Sequence, residues 1–389
     1  MRPILGGKRV ASHDRAMQGW AMQPGPLPQT DITCGSLMLR PLSLDDEDAV
    51  LEARNDSEVR RWTGVPVPVT REDTHRLVCE TTPAGWQDGT SAGFGVFDAT
   101  TGQLLGLVGL HRIGNGEATI GYLMTPAGRG RGVATEAVSA LCRWGFGALG
   151  LERIGWQCMV GNWTSRAVAQ KVGFTVEGVA RRAYHQRGTR VDDWFGSLLA
   201  TDPMTDTRAL PSPPVLTDGV VTLRGWSPAD ATDCARACDD PLTAHWLPVP
   251  TPYTLQDAVG YVSSYIPGAW ADGTAAELAV TDARTGKLLG AMGLKLCNRR
   301  FGYGEIGYWT APWARGRGVA GRGAALSAHW GLTVLGLSRV ELLTEGDNLA
   351  SQRVADKAGF VREGVARAAR LDRNGAAQDF VLFSRVRDD

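Results

Sequence analysis

The hexapeptide Arg-Gly-Arg-Gly-Val-Ala occurs twice in this chain, at Arg129–Ala134 and again at Arg315–Ala320. Each copy follows a strand-like stretch that ends in proline, and each precedes a helix-like stretch. Glycines between a strand and a helix N-terminus leave backbone N–H groups uncovered, and such groups bind anions. Because two arginines are added, the hexapeptide predicts a site for a phosphorylated ligand, and its repetition predicts two such sites.

The sequence around the hexapeptides is repeated as well. The offset between the copies is 184 in the front half and 186 after a two-residue insertion near 298–303. The matching pairs include Trp62 and Trp246, Trp86 and Trp270, Trp144 and Trp330, Asn162 and Asn348, Ser165 and Ser351, Glu177 and Glu363, and Asp193 and Asp379. One duplication of this length is too long for a solenoid and predicts two similar domains.

Composition shifts along the chain divide it into four segments. We predict a poorly ordered extension at 1–34, a first domain at 35–202, a Pro- and Ser-rich linker at 203–214 and a second domain at 215–389. We expect the two domains to pack on each other. The oligomeric state is left open.

The composition is typical of a soluble globular protein, with 43% hydrophobic and 21% charged residues. Lys and Arg balance Asp and Glu, so no basic field predicts a nucleic-acid partner. No stretch of about 20 apolar residues predicts a membrane span, and the N-terminal segment lacks the apolar centre of a signal peptide. The seven scattered cysteines form no zinc-ligand pattern. We therefore expect a cytoplasmic protein without a metal.

Each copy shows the same order of predicted elements. A short strand and helical stretches precede three strands, the glycine loop and a helix at Val133–Ala148, whose Val133, Ala137 and Leu141 form one apolar stripe. A strand, a short helix and two closing strands follow. Strands joined by hairpins, with one helical crossover, predict an α/β fold with a mixed sheet in each domain.

Three motifs in this order and spacing resemble the GCN5-related N-acetyltransferase (GNAT) superfamily, in particular its branch of ribosomal-protein N-terminal acetyltransferases. They are Gly-Tyr-x-x-x-Pro before the loop, Arg-x-x-Gly-x-Ala within it, and Asn-x-x-Ser followed by Lys-x-Gly-Phe after it. The resemblance covers both copies. It implies two tandem GNAT-like domains that bind acetyl-CoA and transfer its acetyl group to an amine.

The resemblance also implies which residues bind coenzyme A. The loops would hold the pyrophosphate and the strands before them the pantetheine arm, while two asparagines would contact that arm or cap a helix. The predicted binding residues are Met124, Arg129, Gly130, Arg131, Gly132, Val133, Ala134 and Asn162 in the first copy, and Thr310, Arg315, Gly316, Arg317, Gly318, Val319, Ala320 and Asn348 in the second.

An attacking amine must lose a proton, for which a carboxylate is the usual base. Glu305 matches the family's glutamate base, whereas the first copy has Thr119 there and Glu117 two residues earlier on the same strand face. Either glutamate could instead be a surface strand residue. The family's tyrosine acid is replaced by alanine, so Ser165 and Ser351 are the predicted substitutes for protonating the leaving thiolate.

We expect an acetyltransferase acting by direct attack within a ternary complex. The acceptors typical of the branch are protein N-termini, aminoglycosides and small amines. The alternative is an acyl-CoA-binding protein in which one or both domains are non-catalytic, and Thr119 makes the first domain the candidate. Trp309 and Trp313, which have no tryptophan counterpart, could line an acceptor pocket of the second domain.

Overall fold

The computed structural model describes residues 25–371 and 375–387, which form two compact units with the boundary between Thr207 and Arg208. Each unit is an α/β domain with its own mixed sheet, as predicted, and each sheet has eight strands among the described residues. The helices among the described residues are too short or too polar to cross a bilayer.

Over residues 25–207, the first unit has eight strands and six α-helices. Its elements are β1 (Ile32–Cys34), β2 (Leu37–Arg40), α1 (Glu47–Asn55), α2 (Ser57–Trp62), α3 (Arg71–Arg76), α4 (Thr82–Asp88), β3 (Ser91–Asp98), β4 (Leu104–Gly114), β5 (Glu117–Met124), α5 (Val133–Ala148), β6 (Arg153–Met159), α6 (Trp163–Val172), β7 (Thr175–Gln186) and β8 (Thr189–Leu199). The sheet order is β1-β2-β3-β4-β5-β6-β8-β7.

The second unit repeats this order. Its elements are β9 (Leu216–Thr217), β10 (Val221–Arg224), α7 (Ala231–Cys238), α8 (Pro241–Trp246), α9 (Leu255–Gly260), α10 (Ile266–Asp272), β11 (Ala275–Asp282), β12 (Leu288–Asn298), β13 (Tyr303–Thr310), α11 (Val319–Thr333), β14 (Arg339–Glu345), α12 (Leu349–Lys357), β15 (Val361–Leu371) and β16 (Ala377–Val386). A π-helical turn joins α3 to α4, and another joins α9 to α10.

Each sheet opens at one parallel pair of strands. β5 pairs with β6 only from Glu117 to Ile120, and β13 pairs with β14 only from Tyr303 to Glu305. All other neighbouring strands in both sheets are antiparallel. The second half of β5, and likewise of β13, therefore has a strand partner on one side only. These are the strands that the resemblance predicts to hold the pantetheine arm.

Helices cover both faces of each sheet. In the first unit, α4, α5 and α6 pack on one face through residues such as Trp86, Leu141 and Ala169. On the other face, Val50 and Ala53 of α1 pack against Phe97 and Leu104. We call the face that carries α1 and α3, or α7 and α9 in the second unit, the N-helix face. A buried apolar layer on both sides fixes the sheet and hence the position of the gap.

The ends of the predicted domains show more order than the sequence suggests. Residues 1–24 of the predicted extension lie outside the described residues, but Ile32–Cys34 forms strand β1 and the N–H of Leu27 donates to the carbonyl of Trp86. In the predicted linker, Thr207 bonds to Gln170 and Phe174 of the first unit, whereas Leu210 is buried in the second. The domain limits given above stay predictions.

One matched pair in the sequence alignment is wrong. Met159 lies opposite Asp193, while the equivalent Glu345 lies opposite Phe380. The second unit has one more residue in its last hairpin, so Asp379 is equivalent to Asp192. Both of these aspartates accept the N–H of a residue with positive φ, at 2.8 Å in each unit. Asp193 therefore has no carboxylate counterpart in the second unit.

Candidate functional site

The two hexapeptides form nearly identical turns in front of α5 and α11. Gly130 and Gly132 have φ of 72° and 81°, and Gly316 and Gly318 both have φ of 74°. This left-handed conformation favours glycine, and no atom lies within 4 Å of where a Cβ would be at any of the four. The first N–H groups of each helix thus face open space, an arrangement suited to an anion.

The arginines of each hexapeptide have different partners. Arg129 forms an ion pair with Asp56, which caps α2, and Arg315 pairs with Asp240, which caps α8. These two guanidinium groups therefore fix the loop to a helix N-terminus, and the geometry does not support the predicted phosphate contact of their side chains. In contrast, the side chain of Arg131 is exposed, and within the described residues it donates one hydrogen bond, to the carbonyl of Ala127 at 3.3 Å.

In the second unit, the loop opens into a basic groove along α11. The groove has a volume of about 760 Å³, and its charged lining residues are Asp218, Arg317, Arg322, His329, Lys357 and Arg385. Arg322 is neutralised by Asp218 at 2.6 Å, and Arg317 lies 3.8 Å from Asp282. Lys357 and Arg385 add positive charge beside the loop, which suits a further phosphate.

The gaps in the sheets lie next to these loops. Met124 and Thr310, the predicted pantetheine contacts, are on the unpaired halves of β5 and β13. Backbone groups on such an edge are available to an extended ligand that runs alongside the strand. The gap and the loop therefore join into one continuous surface in each unit.

Asn162 and Asn348 lie at the other side of the gap, at the starts of α6 and α12. Their side-chain oxygens accept the N–H of Ser165 at 3.1 Å and of Ser351 at 3.0 Å, so both asparagines are helix caps. The amide nitrogen of each has no hydrogen-bond acceptor among the residues that the structure describes. Helix capping and ligand contact, the two roles predicted from the sequence, are therefore compatible, since the amide oxygen caps the helix and the amide nitrogen can donate to a ligand.

Each of these serines is hydrogen-bonded to a tyrosine on the strand before the loop. Tyr122 and Ser165 hydroxyls lie 2.9 Å apart, and Tyr308 and Ser351 hydroxyls lie 2.8 Å apart. Burial raises the pKa of Tyr308 to about 12 and that of Tyr122 further, so both phenols keep their protons at neutral pH. Sequence reasoning missed this pair because the tyrosines lie 43 residues before the serines.

The two predicted bases have ion-pair partners. Glu305 is bound by the guanidinium of Arg370 from β15. Glu117 is 60% exposed and lies 3.8 Å from Arg153. Thr119, which takes the place of Glu305 in the first unit, lies opposite His111 on β4. The carboxylate of Glu305 is thus held by an arginine, whereas that of Glu117 is largely open to solvent.

The two tryptophans peculiar to the second unit differ in role. Trp313 donates its indole N–H to the carbonyl of Leu288 at 2.9 Å and lies under the cations of Arg236 and Lys287. Trp309 is on the N-helix face, where its ring lies 6.2 Å from that of Trp226. Both tryptophans stay predictions for the acceptor pocket, although the indole N–H of Trp313 is already bonded within the unit.

The family description "Acetyltransferase (GNAT) domain" matches the chain twice, at residues 36–175 and 221–361. The chain belongs to the GNAT acetyltransferase family. The two matches fall one in each unit, so the predicted tandem arrangement is confirmed. Among the described residues, no group of three or more His, Cys, Asp or Glu side chains could hold a metal ion.

Named relatives of this GNAT chain agree with the family match. The uncharacterized N-acetyltransferase YoaA of Bacillus subtilis (strain 168) is 31% identical over 169 residues, which are 43% of this chain and 93% of the relative. YdaF of the same organism, whose name proposes a ribosomal N-acetyltransferase, is 32% identical over 39% of this chain and 83% of its own length. Each relative thus matches about the length of one repeat.

Among solved structures, a RimL ribosomal L7/L12 α-N-protein acetyltransferase in complex with coenzyme A is similar to this chain at 24% identity. The match covers 44% of this chain and 98% of that one, with a TM-score of 0.41. The GNAT acetyltransferase assignment itself rests on the family match and on the curated relatives.

Proposed function

We propose that this protein transfers the acetyl group of acetyl-CoA to a primary amine by direct attack in a ternary complex. The observation that carries the proposal is the continuous surface formed in each unit by the glycine loop and the gap in the sheet. The loop suits a pyrophosphate, and the unpaired strand edge suits the amide-bearing pantetheine arm. Bound acetyl-CoA would supply the reactive thioester.

The loop binds the pyrophosphate chiefly through its backbone. In the first unit the donors are the N–H groups of Arg131, Gly132 and Ala134, with the dipole of α5 behind them. Arg317, Lys357 and Arg385 in the second unit add cations for the remaining phosphate of coenzyme A. Arg129 and Arg315 hold the loops in place rather than touch the ligand.

The gap orients the reacting end. The amide of Asn162 or Asn348 donates to the pantetheine arm, while a backbone N–H near Met124 or Thr310 stabilises negative charge on the acetyl oxygen. As the amine nitrogen bonds to the acetyl carbon, the carbon–sulfur bond breaks. Ser165 or Ser351, paired with its tyrosine, then gives the departing sulfur a proton and regains one from solvent, and the attacking nitrogen loses a proton to solvent as the amide forms. A free thiol has a pKa near 8.5, so this help is modest.

The acceptors we propose are a protein N-terminus, an aminoglycoside or a small amine, and the cytoplasm as the site of action stays a prediction. YdaF and RimL bear names that point to ribosomal proteins, which favours the first of the three. Glu305 and Glu117 stay candidate bases, each in competition with its arginine partner.

A second function is favoured for the first unit, namely binding of acyl-CoA without turnover. The imidazole of His111 lies on the N-helix face over Gly109 and Gly121, with its Nε2 3.2 Å from where a Cβ would be at each. The ring thus occupies the space beside β5 in which an acceptor would approach. Such a unit would sense acyl-CoA or stabilise the protein.

Release of coenzyme A thiol from acetyl-CoA, measured with the full chain and a panel of amines, tests the proposal. An alanine-first peptide, kanamycin and phenethylamine represent the three acceptor classes. We expect amine-dependent thiol release that Gly318→Val in the second loop abolishes. Binding of acetyl-CoA without thiol release for any amine would contradict the enzyme and support the sensor.

A further inference from the structure

The second unit has a buried carboxylate that the first unit lacks. Glu277 on β11 is 7% exposed, and its one hydrogen bond within the described residues comes from the hydroxyl of Tyr261, which donates at 3.2 Å. Burial raises the pKa of Glu277, with partial compensation from Tyr261 and Lys295. The equivalent residue in the first unit is Gly93, so the fold itself does not need a carboxylate there. A buried carboxylate with only this partial compensation costs stability and points to a function.

The position of Glu277 connects it to the gap in the sheet. Its carboxylate lies over Gly293 on β12, with both oxygens within 2.6 Å of where a Cβ would be. Gly293 pairs in turn with Gly307 on β13, where nothing lies within 4 Å of the Cβ position. Gly307 thus leaves open space on the N-helix face, where the carboxylate of Glu277 over Gly293 forms one wall of a cleft and the unpaired half of β13 forms its floor.

Aromatic rings form the rest of the cleft. Trp226 contacts Tyr261 edge to face, with ring centroids 5.7 Å apart, and it lies 6.2 Å from Trp309. The indole N–H of Trp226 is buried and finds no acceptor within the described part of the chain. Aromatic faces beside a carboxylate attract an organic cation, because the ring quadrupole and the negative charge act together.

The first unit provides a natural contrast at the same place. Gly121 is equivalent to Gly307, but there the imidazole of His111 covers the glycine. Leu42, Leu77 and Leu123 stand where the second unit has Trp226, Tyr261 and Trp309. The open, acidic and aromatic cleft is therefore a feature of the second unit alone, whereas both units have the loop.

We infer that this cleft of the second unit, formed by Glu277, Trp226, Tyr261, Trp309 and Gly307, is the binding site for the ammonium group of the acceptor. The inference rests on the proposed function. Glu277 accepts the proton that the ammonium must lose, and the neutral amine then attacks the thioester held along β13. The nitrogen–carbon bond forms, the carbon–sulfur bond breaks, and the second amine proton leaves to solvent.

Charged or titratable groups around Glu277 are Tyr261 and Tyr265 from the N-helix face, Lys295 from β12, and the Glu305–Arg370 pair on β13 and β15.

The test uses the full chain carrying Gly132→Val, so that turnover reports on the second unit. Glu277→Gln, which keeps the shape of the side chain, should lower kcat/KM for the best amine of the panel at least 100-fold. The Kd for acetyl-CoA, measured by calorimetry, should not change. Glu341→Gln removes a carboxylate of β14, the strand parallel to β13, that is held by Arg339, and it should leave kcat/KM within threefold of the parent.

Two results would overturn the inference. One is a Glu277→Gln protein that retains kcat/KM within threefold while Glu305→Gln loses it, because the base would then be Glu305. Absence of thiol release by the parent itself would instead reject the proposed function, and the inference with it. Should Glu277→Gln fail to fold, Glu277→Gly reproduces the residue of the first unit and must show the same loss of kcat/KM at unchanged acetyl-CoA affinity.

Discussion

Asp193 of the first unit is expected to cost stability, and replacing it should make that unit more stable. The residue lies on β8 between Met159 and Ala180 of the neighbouring strands and is 4% exposed. Its Oδ1 is buried and has no hydrogen-bond partner among the described residues. In the second unit Phe380 takes this place. A charge at such a position is unfavourable unless it is paired.

The magnitude follows from the pKa of Asp193, which burial raises from the ordinary 3.8 to about 6. At about 1.4 kcal/mol for each tenfold change in a proton equilibrium, ionisation of this group costs the folded state roughly 3 kcal/mol. The cost is absent below the unfolded pKa, grows as the pH rises and is complete above about 6. Asp193→Asn should therefore stabilise the first unit by up to about 3 kcal/mol at pH 7.5 and scarcely at all at pH 3.5.

Amide hydrogen exchange followed by mass spectrometry measures this effect in the full chain, because it separates the two units. Peptides from α5 should exchange up to about 100-fold more slowly in Asp193→Asn at pH 7.5, while peptides from α11 serve as an internal control. Asp192→Asn is the matched control variant. The exposed carboxylate of Asp192 accepts the backbone N–H of Arg182, and an amide oxygen can accept it equally well. Equal exchange in Asp193→Asn and wild type at pH 7.5 would show that the ionised carboxylate of Asp193 does not destabilise the first unit.

Two further predictions concern the second unit. Ser351→Ala removes the hydroxyl 2.8 Å from that of Tyr308 and should lower thiol release roughly tenfold at unchanged acetyl-CoA affinity; an unchanged rate would exclude Ser351 as a proton donor. The pKa of Glu363 is lowered to about 2 by hydrogen bonds from Arg339 and Ser384. Its stabilising contribution is present above the ordinary pKa of 4.5 and is lost as the pH falls towards 2. The protection of β15 amides against exchange should therefore fall less with decreasing pH in Arg339→Met than in wild type. An equal fall in both proteins would contradict the pairing of Glu363 with Arg339.

The sequence predicts the parts of this protein that depend on local signals. The helix at Val133–Ala148 has the predicted bounds because its apolar stripe and the glycines before it are both readable. The glycine loops are likewise local features. The partners of Arg129 and Arg315 were not predictable, because the aspartates lie 73 and 75 residues earlier and only the fold brings them close.

Other features escaped for different physical reasons. β11 is buried along almost its whole length, so its sequence lacks the alternation that would show which face Glu277 occupies. The one-residue insertion in the last hairpin leaves no mark on composition, and it moved the apparent match of Asp379 from Asp192 to Asp193. Strand register, rather than sequence similarity, therefore identifies Phe380 as the residue equivalent to Asp193.

Two coenzyme A sites, one at each glycine loop, are predicted for this chain. Isothermal titration of the full chain with coenzyme A tests this prediction directly. We predict two molecules bound per chain in the wild type and one in either Gly132→Val or Gly318→Val, because a branched side chain is strained at φ of 81° or 74°. One molecule or none bound by the wild type, or a stoichiometry that neither substitution alters, would show that the two glycine loops do not form two coenzyme A sites.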